Sequence, residues 1–374
     1  MEKKRLPYFD IAKGAAMVLV LIGHLQGRIL EYSPYIVYFC IWIFSFHMPF
    51  FFIVSGMLIK HRNDRDKDLK TLITKRFKGI MIPYYLFSAV YLVIVMYALF
   101  ISKTILPKTL YISIWHVLSL HGMNVLWFLP AMFLGEILFL FILKKAKTRT
   151  AVIIQIVITM IAYILNVVMQ GFSFDTPFLE RVHELLLTLF RPVFASSFIA
   201  IGYYGYELFN RISDSGNRKK DIAVCLTLSQ ICLVIDIVCI IISMKYLHYD
   251  NIGDFRSLVQ HNIFIYYICA ISGSLWLLLM SKALSYGKVK YDILIYYGVN
   301  SLIFMAVHNN SAMLSVALNA AMYVNQFITR ARGYVCYLIV IAVMLIYTTL
   351  MIVLIDRFFP FMAGKKRAKI RKSA

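Results

Sequence analysis

Negative charge is scarce in this chain: 18 Asp and Glu stand against 39 Lys and Arg over 374 residues, a formal net charge of +21. Charged residues of both signs make up only 15% of the sequence, well below the roughly 25% of soluble domains, which excludes an ordinary water-solvated surface. Cysteine pairs are missing. The six cysteines form no CxxC or CxH, and Cys225, Cys232 and Cys239 recur every seven residues within one apolar stretch. They read as small buried hydrophobes rather than a disulfide frame or a metal site. No HExxH or similar zinc spacing occurs, so no metal is expected. Long polar segments are also absent. The longest connection between apolar runs, 310–333, leaves no room for a separate soluble domain. No internal repeat is visible, which argues mildly against a transporter built from two related halves.

What is present is apolar. Hydrophobic residues reach 61% and mean hydropathy is +0.76. Runs long enough to cross a hydrocarbon core of ~30 Å can be drawn ten times, at 9–25, 36–58, 80–101, 126–143, 151–169, 185–208, 222–243, 261–281, 293–309 and 334–355. The fold class is therefore all-α, a polytopic membrane helical bundle of about ten spans. With the N-terminus inside, the inner segments carry 29 Lys and Arg and the outer loops 8, a bias that places both termini in the cytoplasm. The same bias explains the net charge without nucleic acid, which is not an expected partner. The first span begins close to the N-terminus with no small-residue cleavage site after it, and is expected to stay as an anchor. Residues 1–374 read as one integral-membrane domain. A basic tail over 363–374 contacts anionic lipid head groups in this reading.

The first span carries Asp10, Lys13 and His24, and an ionisable group within lipid costs at least ~2.5 kcal/mol on the insertion scale. At 100° per residue Lys13 and His24 share one helical face, with Asp10 near it, and a rise of ~1.5 Å per residue separates the two by roughly 16 Å. Such a stripe can link a surface site to a reacting centre deeper in the membrane. His24 lies toward the outer end beside Gly23. On position alone it is either a structural hydrogen-bonding histidine or an acid–base group, since imidazole titrates near neutral pH.

The spacing of Lys13, ten residues and His24, followed by HMPFFFIVSG at His47–Gly56, resembles the integral-membrane acyltransferase family 3, which O-acylates surface carbohydrates. LWFLPA at Leu126–Ala131 and NSLIFMAVH at Asn300–His308 are similar to its sugar O-acetyltransferase branch. The resemblance implies that His24 is the essential acid–base or acyl-accepting residue, that Lys13 handles the donor or pairs with Asp10, and that acetyl-CoA is a cytoplasmic donor substrate, with no resident cofactor. It also implies a home in the bacterial cytoplasmic membrane. The expected partners are membrane lipid, acyl-CoA and a carbohydrate acceptor, with a homodimer left open.

Other residues extend the candidate site. His47 sits two residues before Pro49, which loosens a helical bond and can open a cavity beside it. Lys75, Arg76 and Lys78 stand where the family carries Arg-rich positions linked to the donor, although a basic loop here also serves topology. Trp127 is either an interfacial belt residue or a stacking surface for a sugar. Glu136, Arg191 and Asp236 must find partners inside the bundle, and Arg191, toward the outer side, can hold an anionic lipid-linked sugar. Asn300, Ser301 and His308 form a polar face on the ninth span, with His308 either lining the cavity or capping the helix. The leading expectation is an O-acetyltransferase moving acetyl to a hydroxyl of a surface polysaccharide or lipid-linked glycan. The alternative is a polysaccharide or lipid exporter without bond-making.

Overall fold

The computed structural model describes residues 5–25, 34–248, 252–287, 291–325 and 332–364. The expected basic tail thus lies, from 365 onward, outside the described residues. In lipid every backbone N–H and C=O must bond within its own segment, and the described chain is accordingly helical, with one isolated bridge between Asp254 and Val259 in place of a sheet. In chain order the helices are α1 (Pro7–His24), α2 (Pro34–His61), α3 (Leu69–Phe100), α4 (Pro107–Leu118), α5 (Asn124–Lys145), α6 (Thr148–Gln170) and α7 (Pro177–Ser213). After them come α8 (Arg218–Tyr246), α9 (Ile263–Ser285), α10 (Asp292–Val299), α11 (Ser301–Val307), α12 (Ser311–Asn325) and α13 (Arg332–Phe358).

Burial separates an inner ring from a lipid-facing one. In α5, α7 and α2 the most apolar window is 72%, 67% and 61% buried, whereas in α6 and α8 it is 28% and 22%. The outer helices turn Ile153, Ile156 and Val157, or Val234, Ile237 and Val238, away from the protein, as a hydrocarbon solvent allows. α1 sits at the centre, packed on α10, α9 and α2.

Glycines set the closest approaches. Where α2 crosses α7, a Cβ added at Gly56 would lie 1.9 Å from the Ile199 carbonyl oxygen, and one at Gly202 would lie 1.9 Å from that of Ile53. The same reciprocal arrangement joins α1 to α10 through Gly14 and Gly298. With little hydrophobic drive between helices in lipid, such backbone contact is a main source of association. Gly56→Val is expected to push α2 off α7 and to cost at least the ~1–3 kcal/mol of an overpacked core, seen as a lower melting temperature in detergent; an unchanged melt would show that the crossing yields freely.

Among the described residues eight helices are long and apolar enough to cross a membrane, with a ninth if the pair Ser301–Val307 and Ser311–Val324, bent by 75°, counts as one span; α1, the first of the ten expected spans, is not among them. Two expectations need correction. The stretch 293–309 is not one helix. It breaks at Asn300, which leaves helical geometry at φ −105 and ψ 19, and again at His308–Asn310. The region 310–333 is not simply a loop, because Asn310 accepts from the Met313 amide at 3.0 Å and so starts α12 with an ordinary N-cap.

Candidate active site

One stripe of α1 organises the interior. Lys13, Met17, Val20 and His24 follow one another at helical spacing and face two cavities in turn. The first, of about 210 Å³, is bordered by Lys13, Met17 and Val20 together with Ser55, Arg62, Arg76 and Glu136. The second, of about 450 Å³, is bordered by Val20 and His24 with His47, Trp127, Arg256 and His308. Val20, Met48, Phe128 and Met305 belong to both. Four elements, α1, α2, α5 and α11, thus contribute one apolar residue each to a collar where the chambers meet.

In the histidine chamber the rings of His24 and His308 are 5.2 Å apart. His308 Nδ1 donates to the Met305 carbonyl at 2.8 Å and His47 Nδ1 to that of Ile43 at 3.1 Å. A carbonyl only accepts, so the proton of each neutral ring stays on Nδ1. His308 Nε2 is buried without a partner among the described residues. His24 makes no hydrogen bond with a described residue. It keeps accessible surface where it borders the cavity. An unengaged imidazole beside two pinned ones is the group free to meet a substrate.

The outer wall is aromatic and braced. Trp127 is buried, stacks on Phe255 at 6.0 Å and lies under the Arg191 guanidinium at 5.4 Å. It is a chamber wall rather than a belt residue. Arg191 Nε donates to the Arg256 carbonyl at 2.7 Å and Nη1 to that of His121 at 3.2 Å. Two of its N–H groups thus brace the scaffold, and it does not border either chamber. The residues that sequence reasoning missed are Asp254, Phe255 and Arg256, on a loop that folds into the chamber mouth. Gly253 and Asp254 are ordinary turn residues, and no local pattern marks the loop as part of a site.

The other chamber is polar at its far end. Lys13 Nζ bonds Asp10 at 3.0 Å, and Arg5 bonds the same carboxylate at 2.5 Å, so Asp10 serves the cations and borders neither cavity. Arg76 is buried between Asp64, at 2.7 Å, and Glu136, which also accepts from Ser55. Lys75 and Lys78 point elsewhere, into a shallow surface hollow. Lys78 follows Arg76 by two residues, about 200° round a helix, and so faces the opposite side. Ser301 borders this chamber. Asn300 instead donates to the Tyr296 carbonyl at 2.9 Å. Asp236 is fully buried near Ser45, at 3.3 Å.

A profile of the acyltransferase domain matches residues 6–357. The chain is a member of acyltransferase family 3. No curated protein and no solved structure matches it at a significant level. In this membrane acyltransferase the match spans both chambers and the collar between them.

Outside the chambers, one group of ligand-type side chains occurs among the described residues. His116, His121 and Glu184 hold their ligand atoms within 4.8 Å of one another. Arg181 Nη1 already bonds Glu184 at 2.7 Å, and Trp115 donates to the same oxygen at 2.9 Å. In the acyltransferase this cluster ties α4 to α7. Burial first, and then the charge of Arg191, push His121 down to about 4, so its ring is neutral at physiological pH.

Proposed function

We propose that this acyltransferase carries an acetyl group from cytoplasmic acetyl-CoA to a hydroxyl of a cell-surface polysaccharide or lipid-linked glycan in a bacterial cytoplasmic membrane. One observation carries the reading: a cation-lined chamber and a histidine-lined chamber stand back to back along one helical stripe, joined at an apolar collar. The charge bias of the loops supports placing the Lys13 side in the cytoplasm. A thioester there would have its phosphates near Lys13 and Arg62 and its acyl end directed at the collar.

At the collar the acceptor hydroxyl attacks the thioester carbonyl. His24 takes the hydroxyl proton, the new C–O bond forms, and the C–S bond breaks to release CoA as a thiolate that is then protonated. His47 and His308, neutral and fixed by their Nδ1–H bonds, shape the chamber around the acceptor. Trp127 offers an indole edge or face to sugar C–H groups. The developing oxyanion needs a positive partner; Arg191 does not border the chamber and Lys13 lies in the other one, so His24 itself, once protonated, is the nearest positive group on the α1 stripe.

Mass spectrometry of glycans from deletion and complemented cells tests the reading, with loss of one acetyl increment per modified sugar expected in the deletion; identical glycans would overturn it. Purified Lys13→Met protein is expected to bind acetyl-CoA about tenfold more weakly, the loss of one charge-assisted phosphate contact. Undiminished affinity at normal abundance would remove Lys13 from donor binding.

A further inference from the structure

The loop bordering the histidine chamber is held far more firmly than a connection requires. Phe255 is 3% exposed and packs on Trp127, Phe52 and Phe198. The Leu258 carbonyl accepts from Asn166 at 2.7 Å and Gln170 at 3.1 Å. Gly253 and Leu258 take positive φ, at 149 and 54, to close the turn through the Asp254–Val259 bridge. Asp254 spends its carboxylate inside the loop, accepting from the Arg256 amide at 2.9 Å and the Ser257 hydroxyl at 2.5 Å.

All this scaffolding presents one uncommitted group. The Arg256 side chain is exposed, borders the chamber with His24, and makes no hydrogen bond or ion pair with a described residue. Its backbone carbonyl is clamped by Arg191, a second guanidinium. Setting one buried cation to hold another in place is electrostatically unfavourable by itself. The arrangement becomes favourable when an anion docks on the Arg256 guanidinium, with the positive charge of Arg191 behind the loop adding to the attraction.

We propose that Arg256 is the specificity residue of the acceptor site and that the acceptor is anionic, its phosphate or carboxylate oxygens docking on this guanidinium while a hydroxyl reaches His24. The assignment rests on the reading of the histidine chamber as the acceptor site. It moves to Arg256 the role expected of Arg191, which braces the loop and does not border the chamber.

Equilibrium binding to the full chain in neutral-lipid nanodiscs tests it, with inorganic pyrophosphate, a glucuronate-terminated oligosaccharide and a neutral oligosaccharide of equal length as probes. Wild-type protein is expected to bind at least one anionic probe. R256Q should weaken that binding about tenfold or more, the size of one lost charge-assisted contact, R256K should weaken it less, and the neutral probe should be unaffected. Loss confined to pyrophosphate assigns a phosphate-linked carrier, and loss confined to the glucuronate probe assigns an acidic sugar. Equal affinity of wild type and R256Q for both anions, an equal loss for the neutral probe, or no anion binding by wild type would each overturn the proposal. No donor is present in this measurement, so a failure of the acetyl-CoA reading would leave its outcome unchanged.

Discussion

Replacing His24 with alanine is expected to abolish acyl transfer while leaving protein abundance and acetyl-CoA binding intact. A positioned general base contributes about 10² to 10⁴ in rate, and a covalent role more. His24 is the one chamber imidazole of the three with no hydrogen bond to a described residue, whereas His47 and His308 are pinned through Nδ1. Lys13, on the other side of the collar, is untouched by the change. His24→Gln is the sharper variant, since it keeps a hydrogen-bonding side chain of similar reach but cannot cycle a proton. Steady-state transfer by the Gln variant within a fewfold of wild type would remove His24 from the chemistry and leave it a structural role.

The second large effect concerns stability. Arg76 lies between two carboxylates, Asp64 and Glu136, with all three side chains buried. Truncating one partner of such a group leaves uncompensated buried charge, typically at a cost of 3–5 kcal/mol. Arg76→Met is therefore expected to unfold at far lower temperature in detergent, and adding Asp64→Asn with Glu136→Gln to restore most of the loss. If the single variant melts like wild type, the carboxylates have another partner. Burial by itself would push the Asp64 carboxyl up, but hydrogen bonds from Lys67 and Arg76 outweigh it and hold it below its ordinary value. This contribution is fully present above the usual carboxylate range and fades as pH falls through the lowered value. Arg76→Met should flatten that acid limb.

The sequence already showed the α1 stripe, because a period of 3.6 is enough to place Lys13 and His24 on one face. The membrane class followed from composition, and the pairing of Glu136 from the cost of leaving a charge alone in lipid. Tertiary facts were hidden. Three basic residues in TKRFKG look alike in one dimension, and only the tertiary packing that brings Asp64 and Glu136 to Arg76 shows which of them turns inward. Arg191 carried the right charge at the right depth, yet it bonds carbonyls sixty-five and seventy residues away in sequence and does not border either chamber. Arg256 sits in a polar connection whose path into the bundle no local pattern announces. The break at Asn300 was masked because a window average over 293–309 stays apolar when one asparagine interrupts it.

The collar has a consequence for the cell's energy supply. Two water-accessible chambers in line would form a leak for protons and sodium ions if they were continuous, and an ionic membrane potential of 100 mV works on each escaping charge with about 2.3 kcal/mol. Val20, Met48, Phe128 and Met305 border both chambers and set hydrocarbon and thioether between them, the kind of lining that disfavours a continuous water column. Two of the four are methionines, unbranched and adaptable, which can part around a slender acyl chain and reseal behind it. Lys13 stands on one side of this apolar layer and His24 on the other.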